Sequence, residues 1–395
     1  MSQYAIIQKQ VPFRTQQVLG DSYHFPVKLR RSHGTTWNTD GSAFTLNSPV
    51  SPLTQNASAS PVTFVLQEDI SYVALSRAHG NGEAAFGDAM DDIVIGMRED
   101  AQFYLEMTLL HGGQNIGVIS ANSGTGTTQT VTISAATWAA GIFSQFEGGK
   151  LDLYTAAGTL INANSAVTVS TVLADSRQLI LTGEATDLAV ATTGVQLVPY
   201  GAQSKWFSGL DKVLTNTATL FSIDAGTYGL WKANTHTAGS AKLTMSKLQA
   251  AISKAVGRGL MEDVVAVMSP YTWTDINDDT AGLRRFAQST KSELDLGTSG
   301  VIKFYGVNGG SVELVSHPMA KAGQALVFPP KRFLRVGSTD TTSRLVGIEG
   351  QEQNFYQELE SSAGIRLRCV WDQVLMPRQP AKCVAITGIV NESGP

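Results

Sequence analysis

The chain has 395 residues, enough for roughly two or three compact domains with cores of their own. Its net charge of −4, from 29 Lys and Arg against 33 Asp and Glu, excludes a general electrostatic footprint for nucleic acid, which needs clustered cations. Charged residues make up only 16%, below the roughly 25% of an average domain; that fits either a surface covered by partners or a Thr-rich β fold.

Residues 1–20 are Gln-rich and aperiodic and read as an extended N-terminal arm. They hold no apolar run behind a positive segment, and no stretch in the chain reaches the ~18 apolar residues of a membrane span. The chain is therefore expected to be made in the cytosol and to stay in solution. Residues 21–66 hold a long hairpin. Its distal part, "VKLRRSHGTTWNTDGSAF", alternates Val27 and Leu29, passes the turn dipeptide Asp40-Gly41 and returns near Phe44. A two-stranded hairpin is marginal alone in water, so this one needs an apolar surface supplied from elsewhere.

Next, "DISYVALSRA" predicts a strand and a Gly-containing loop leads into the longest helical signal. Met90, Ile93, Val94, Met97, Ala101, Tyr104, Leu105 and Thr108 share one face. A helix from about Gly82 to His111 would be roughly 45 Å long at 1.5 Å per residue, a spine for whatever packs around it.

From Gly112 to Tyr200 the texture becomes purely β. Short runs, "NIGVIS", "TVTIS", "KLDLYTA", "TLINA", "AVTVSTVL", "RQLILTG" and "GVQLVPY", alternate with Gly, Asn and Thr turns, the spacing of a small sandwich or barrel. Mixed patterning returns with "KWFSGLDKVL". Leu248, Ala251, Ile252, Ala255 and Val256 predict a helix, "VVAVMS" a buried strand, and Pro270 the start of a helix holding Tyr271, Trp273 and Ile276. "FYGVNGGSVELVS" reads as a hairpin about Asn308-Gly309-Gly310.

Reaction chemistry finds no foothold. Gly80, Gly82 and Gly87 are spaced G-x-G-x-x-x-x-G, not as a dinucleotide fingerprint. His24, His33, His79, His111, His236 and His317 form no ligand pair, and Asp275, Asp278 and Asp279 lack the pattern of a calcium loop. No nucleophile elbow, P-loop or H-E-x-x-H occurs. Cys369 and Cys383 are too few for a disulfide framework and read as two reduced, buried thiols. No catalytic, cofactor or metal residue is assigned, and the chain is expected not to be an enzyme.

The order of parts, with "VMSPYTWTDIN", "FYGVNGGSVELVSHPMAKAGQALVFPPKRFLRVGS" and "YQELESSAGIRLRCVWDQVLMPRQPAKCVAITGI" in the second half, resembles the HK97-like major capsid proteins of tailed bacteriophages. The resemblance spans nearly the whole chain except 112–203, which is similar to the β insertions some of these shells bear. It implies an α+β fold with N-arm (1–20), E-loop (21–66), peripheral domain (67–111 and 325–395), inserted β-sandwich or barrel (112–203) and axial domain (204–324). It also implies self-assembly through pentamers and hexamers into an icosahedral or prolate shell around double-stranded DNA, in the virion. Further partners would be scaffolding, portal and decoration proteins, and DNA contacted without sequence specificity. An encapsulin-like compartment shares the fold and is the alternative; a secreted β-rich adhesin would need a signal peptide.

On this reading the hairpin lies across a neighbouring subunit. Lys28, Arg30, Arg31, Trp37 and Phe44 are candidate contacts, with the three cations near the tip pairing with the neighbour's carboxylates. Some family members join an E-loop Lys to a neighbour's Asn with a Glu as base; here Lys28 is the only Lys between residues 11 and 149, and Asn354 and Glu360 lie in the late segment, the alternative being an ordinary solvated or salt-bridged Lys28.

Overall fold

The helix Glu83–His111 is the longest element of the computed structural model, which describes residues 5–15, 21–39, 41, 43–71, 83–163, 165–286, 301–343, 356–358 and 364–394. Of its apolar stripe, Met97, Ala101, Leu105 and Thr108 are buried, while Ile93, Val94 and Tyr104 are half-buried. Its last three turns are buried almost all round, Phe103, Met107, Leu109 and Leu110 included, so this end needs cover on several sides rather than one.

Two sheets and a barrel surround it. The first sheet runs Phe13–Thr15, Phe333–Thr342, Gly364–Pro377, Tyr356–Glu358, with Val62–Ser71 also paired to the long strand Gly364–Pro377. Met97 and Ala101 of the helix pack on Leu367 and Cys369 of that strand. Trp371, from the same strand, stacks on Phe64 at 5.0 Å. The second sheet runs Asn234–Ala241, Val384–Ile389, Gln324–Phe328, Val264–Met268, Ser311–Ser316, Val301–Tyr305. Val264–Met268 is buried at every position and pairs parallel on one side, antiparallel on the other, as a central strand with both faces covered should. The helices Met245–Val256 and Pro270–Phe286 pack against this sheet. Thr244 caps the first of them by accepting from the Lys247 N–H at 3.3 Å.

Between the spine helix and the second sheet, the strands Gly117–Ser123, Thr128–Ile133, Lys150–Tyr154, Val167–Leu173, Gln178–Thr182 and Gln196–Pro199 close into a barrel. Alternate residues fill it: Val131 and Ile133, Leu151 and Leu153, Val167 and Val169, Leu179 and Leu181 are all buried. Closure removes the exposed edges that a short sheet would otherwise carry. Entry and exit meet: Leu197 pairs with Gly117, and the Gly209 N–H donates to the Gly112 carbonyl at 2.8 Å. A Cβ would stand 2.1 Å from Phe207 O at Gly112 and 2.5 Å from Thr108 O at Gly209, so the crossing requires glycine on both sides.

Expectations about the parts of the chain are corrected. Residues 5–15 are not simply an extended arm: Ile6–Gln10 is helical, Phe13–Thr15 pairs parallel with Phe333–Thr342, and Ala5, Ile7 and Val11 are buried. Residues 62–66, assigned by the resemblance to the E-loop, belong to Val62–Ser71 and pair with Gly364–Pro377 in the first sheet. Residues 325–328 and Val384–Ile389, grouped by the resemblance with the spine helix, instead lie in the second sheet, between Asn234–Ala241 and Val264–Met268. The strand after Gly364–Pro377 is only six residues long, and its partners decide its sheet.

Candidate interaction arm and its anchoring junction

The hairpin pairs Tyr23–Arg30 antiparallel with Leu53–Ala59, with a register shift between Lys28 and Arg30. Period-two alternation decides which side faces the body. Val27 and Leu29 on one strand and Ala57 on the other turn inward onto Ile223, Ala225 and Trp231. The Trp231 indole N–H donates to Leu220 O at 3.0 Å, Ser58 N–H to Phe221 O at 3.0 Å, and Gln55 Nε2 to Tyr228 Oη at 3.2 Å. The root of the arm is thus a small core shared with the body.

Beyond the root the arm changes character. A bridge joins His33 and Val50, and Asn47 ties the two sides by bonds to Thr36 Oγ1 and Thr35 O. Further out, Trp37 is 89% exposed, Leu46 74% and Phe44 53%. Three large apolar side chains on one projection stand out more than any single exposed residue would. Trp37 and Phe44 are candidates that the structure brings to the distal arm; Leu46 is a third that the sequence reading missed, although its type was visible there. Lys28, Arg30 and Arg31 are placed differently from expectation: they sit at the root, at the end of the inner strand, and face a cleft of the same chain. Asn354 and Glu360 lie outside the described residues.

Where the spine helix ends, a buried polar junction ties four segments together. Glu106, fully buried, accepts from the backbone N–H groups of Ile7 and Gln8, so it caps the short N-terminal helix from a distant position in sequence. His317 Nδ1 accepts from the Met319 N–H at 3.1 Å, which puts its proton on Nε2, 3.0 Å from Glu106 Oε1. Lys321 Nζ lies 2.9 Å from Asp211 Oδ2, both side chains nearly inaccessible. Burial opposes ionisation of Asp211, but the Lys321 charge and His111 beside it overcome that and hold its carboxyl well below the usual range. His111 donates from Nε2 to Met319 O at 2.8 Å. Burial, then the charge of Lys321, pulls its pKa below the ordinary histidine value.

Among the described residues no group of three His, Cys, Asp or Glu stands together as a metal site. Both cysteines are free and buried; burial pushes the Cys369 thiol up to about 11 and Cys383 further still, which leaves them inert as nucleophiles. No described helix is long and apolar enough to cross a membrane.

No family model matches the sequence, nor does any curated protein. Solved structures do match. A chain of the cyanophage A-1(L) capsid asymmetric unit superposes with a TM-score of 0.53 at 11% identity, over 98% of this chain and 93% of that one. A chain in the capsid of an empty GTA particle gives 0.49 at 8% identity, over 99% and 92%. One in the capsid of Myoviridae phage XM1 gives 0.46 at 9%, over 98% and 93%. The first of these matches defines the class: this chain has the α+β fold of a phage capsid chain.

Proposed function

We propose that the chain is the major capsid protein of a tailed phage, in the HK97-like form. Copies assemble through pentamers and hexamers into a closed icosahedral or prolate shell around double-stranded DNA, without catalysis. The observation that carries this reading is the match of fold over 98% of the chain to a cyanophage capsid chain. In the same terms residues 21–61 are the E-loop, 112–203 the insertion, 204–328 with the last strand the axial domain, and the spine helix with the first sheet, Val62–Ser71 included, the peripheral domain. Trp37 and Phe44 pack on a neighbouring copy, which supplies the apolar surface that the distal arm lacks. Scaffolding, portal and decoration proteins are the further partners of such a shell. An encapsulin-like compartment has no observation of its own here.

Electron microscopy of the purified protein tests it. Closed particles of uniform size are expected. A chain that stays monomeric by light scattering across salt, pH and concentration would sink the proposal.

A further inference from the structure

The arm root walls a cleft of about 510 Å³. Lys28, Arg30 and Arg31 form one side. Arg258, just beyond the helix Met245–Val256, and Arg378 and Lys382, from the turn after Gly364–Pro377, form the other. Among the described residues no carboxylate lines it. Lys382 already shares Glu262 with Arg332. Arg258 is held by Lys232 O at 3.0 Å and Arg30 touches Ser51 O at 3.4 Å, both through carbonyls. Among the described residues, Lys28, Arg30, Arg31, Arg258 and Arg378 have no acidic partner.

Five uncompensated cations around one cleft repel one another and create a strongly positive local potential. The adjoining cavity, of about 450 Å³, shares Arg378 but also carries Asp263 and Glu313, so the unopposed charge is confined to the arm root. Arg guanidinium groups, two of them bonded to carbonyls, match the oxygens of phosphate or carboxylate. The chain's own sequence separates these two. It nowhere places three acidic residues in succession, so no run of consecutive residues in a second copy offers more than two adjacent carboxylates to this many cations. Phosphate esters and anhydrides carry charge more densely. Among the described residues no aromatic ring lines the cleft, which leaves base stacking to none of them and makes their recognition of an anion independent of sequence.

We propose that this cleft binds phosphate groups, from a free polyphosphate or a phosphodiester backbone, and that the bound anion bridges the arm root to the body. The inference does not rest on shell formation.

It is tested on the dispersed full-length chain, titrated at constant ionic strength with sodium tripolyphosphate, fluorescein-labelled dT20 and polyglutamate of matched charge. Saturable binding of one of the first two, with a rise in melting temperature, is expected. Arg378→Gln and Lys28→Gln, on opposite walls, should each weaken it about fivefold, the upper end for one exposed charge pair. Neither side chain has a described internal partner, so both variants should keep the wild-type circular dichroism and melt. Lys205→Gln, with the same change in net charge, should bind as wild type. Binding of dT20 alone identifies the backbone as the source; binding of tripolyphosphate alone identifies the free anion. Absence of binding by both, equal loss in Lys205→Gln, no loss in the two wall variants, or tighter binding of polyglutamate overturns the proposal. Particles without binding, or binding without particles, separate this inference from the shell reading.

Discussion

At the scale of residues, Asp211 and Lys321 form the pair on which the junction depends. Both are buried and 2.9 Å apart, so removing one strands the other. Asp211→Ala should cost about 3–5 kcal/mol, the usual price of an unpaired buried charge, read from denaturant midpoints. Replacing both with apolar residues of similar volume should recover most of that loss. Acid acts in the same direction. Asp211 has a depressed folded pKa, so its contribution is complete above the ordinary carboxylate value of about 4 and is lost as pH falls through the folded value. His111 is also depressed, so its contribution is complete above about 6.5 and is lost as pH falls through its own folded value. Thermal stability should therefore hold between neutral and mildly alkaline pH and decline on acidification; His111→Gln should flatten the first part of that decline. None of this was legible in the sequence. His111, Asp211 and Lys321 are separated by long stretches of chain, and a pair made only by tertiary contact leaves no spacing to read. Burial of the two thiols was legible, because residue type alone carries it.

At the scale of elements, the arm divides into a root that is packed and a tip that is not. Trp231→Ala should cost about 3–5 kcal/mol, as for loss of a large buried aromatic, because Val27, Leu29 and Ala57 lose their shared partner. Replacing residues 31–42 with a short Gly-Ser turn removes exposed groups, Trp37 among them. The melting temperature should barely move, while closed particles vanish from electron micrographs; normal particles from the shortened chain would refute the clasp. The inner strand of the arm was legible from Val27 and Leu29, and the spine helix from its stripe. The N-terminal helix Ile6–Gln10 was not, because five residues cannot sustain a helix alone and its cap, Glu106, comes from another element. The basic cleft was hidden for a related reason: a net charge averages over the chain, whereas Arg258 and Arg378 join Lys28 only on folding.

At the scale of the molecule, the β texture between Gly112 and Tyr200 was legible from turn spacing, but of seven expected runs "TLINA" makes only an isolated bridge at Leu160 and six strands form the barrel; closure and strand order were not legible, since both depend on non-local pairing. Expressed alone, residues 112–203 should give an all-β circular dichroism spectrum and a cooperative melt; a disordered spectrum would show that the strands need the rest of the chain. One face will be uncovered in that experiment. Gly141 N–H bonds to Pro318 O at 2.9 Å, Gly323 N–H to Ala136 O at 2.9 Å and Ala322 N–H to Trp138 O at 2.9 Å, so the barrel rests on residues 318–323 of the body.

The meeting of Gly112 and Gly209 has an evolutionary consequence. Because the chain leaves the spine helix and returns to it at one point, a lineage can gain or lose the whole intervening segment in a single recombination event without re-registering either sheet. A second scar falls where the barrel rests. A relative that lacks the barrel must therefore differ from this chain at Pro318–Gly323, where Met319 is now fully covered, and should carry polar residues there.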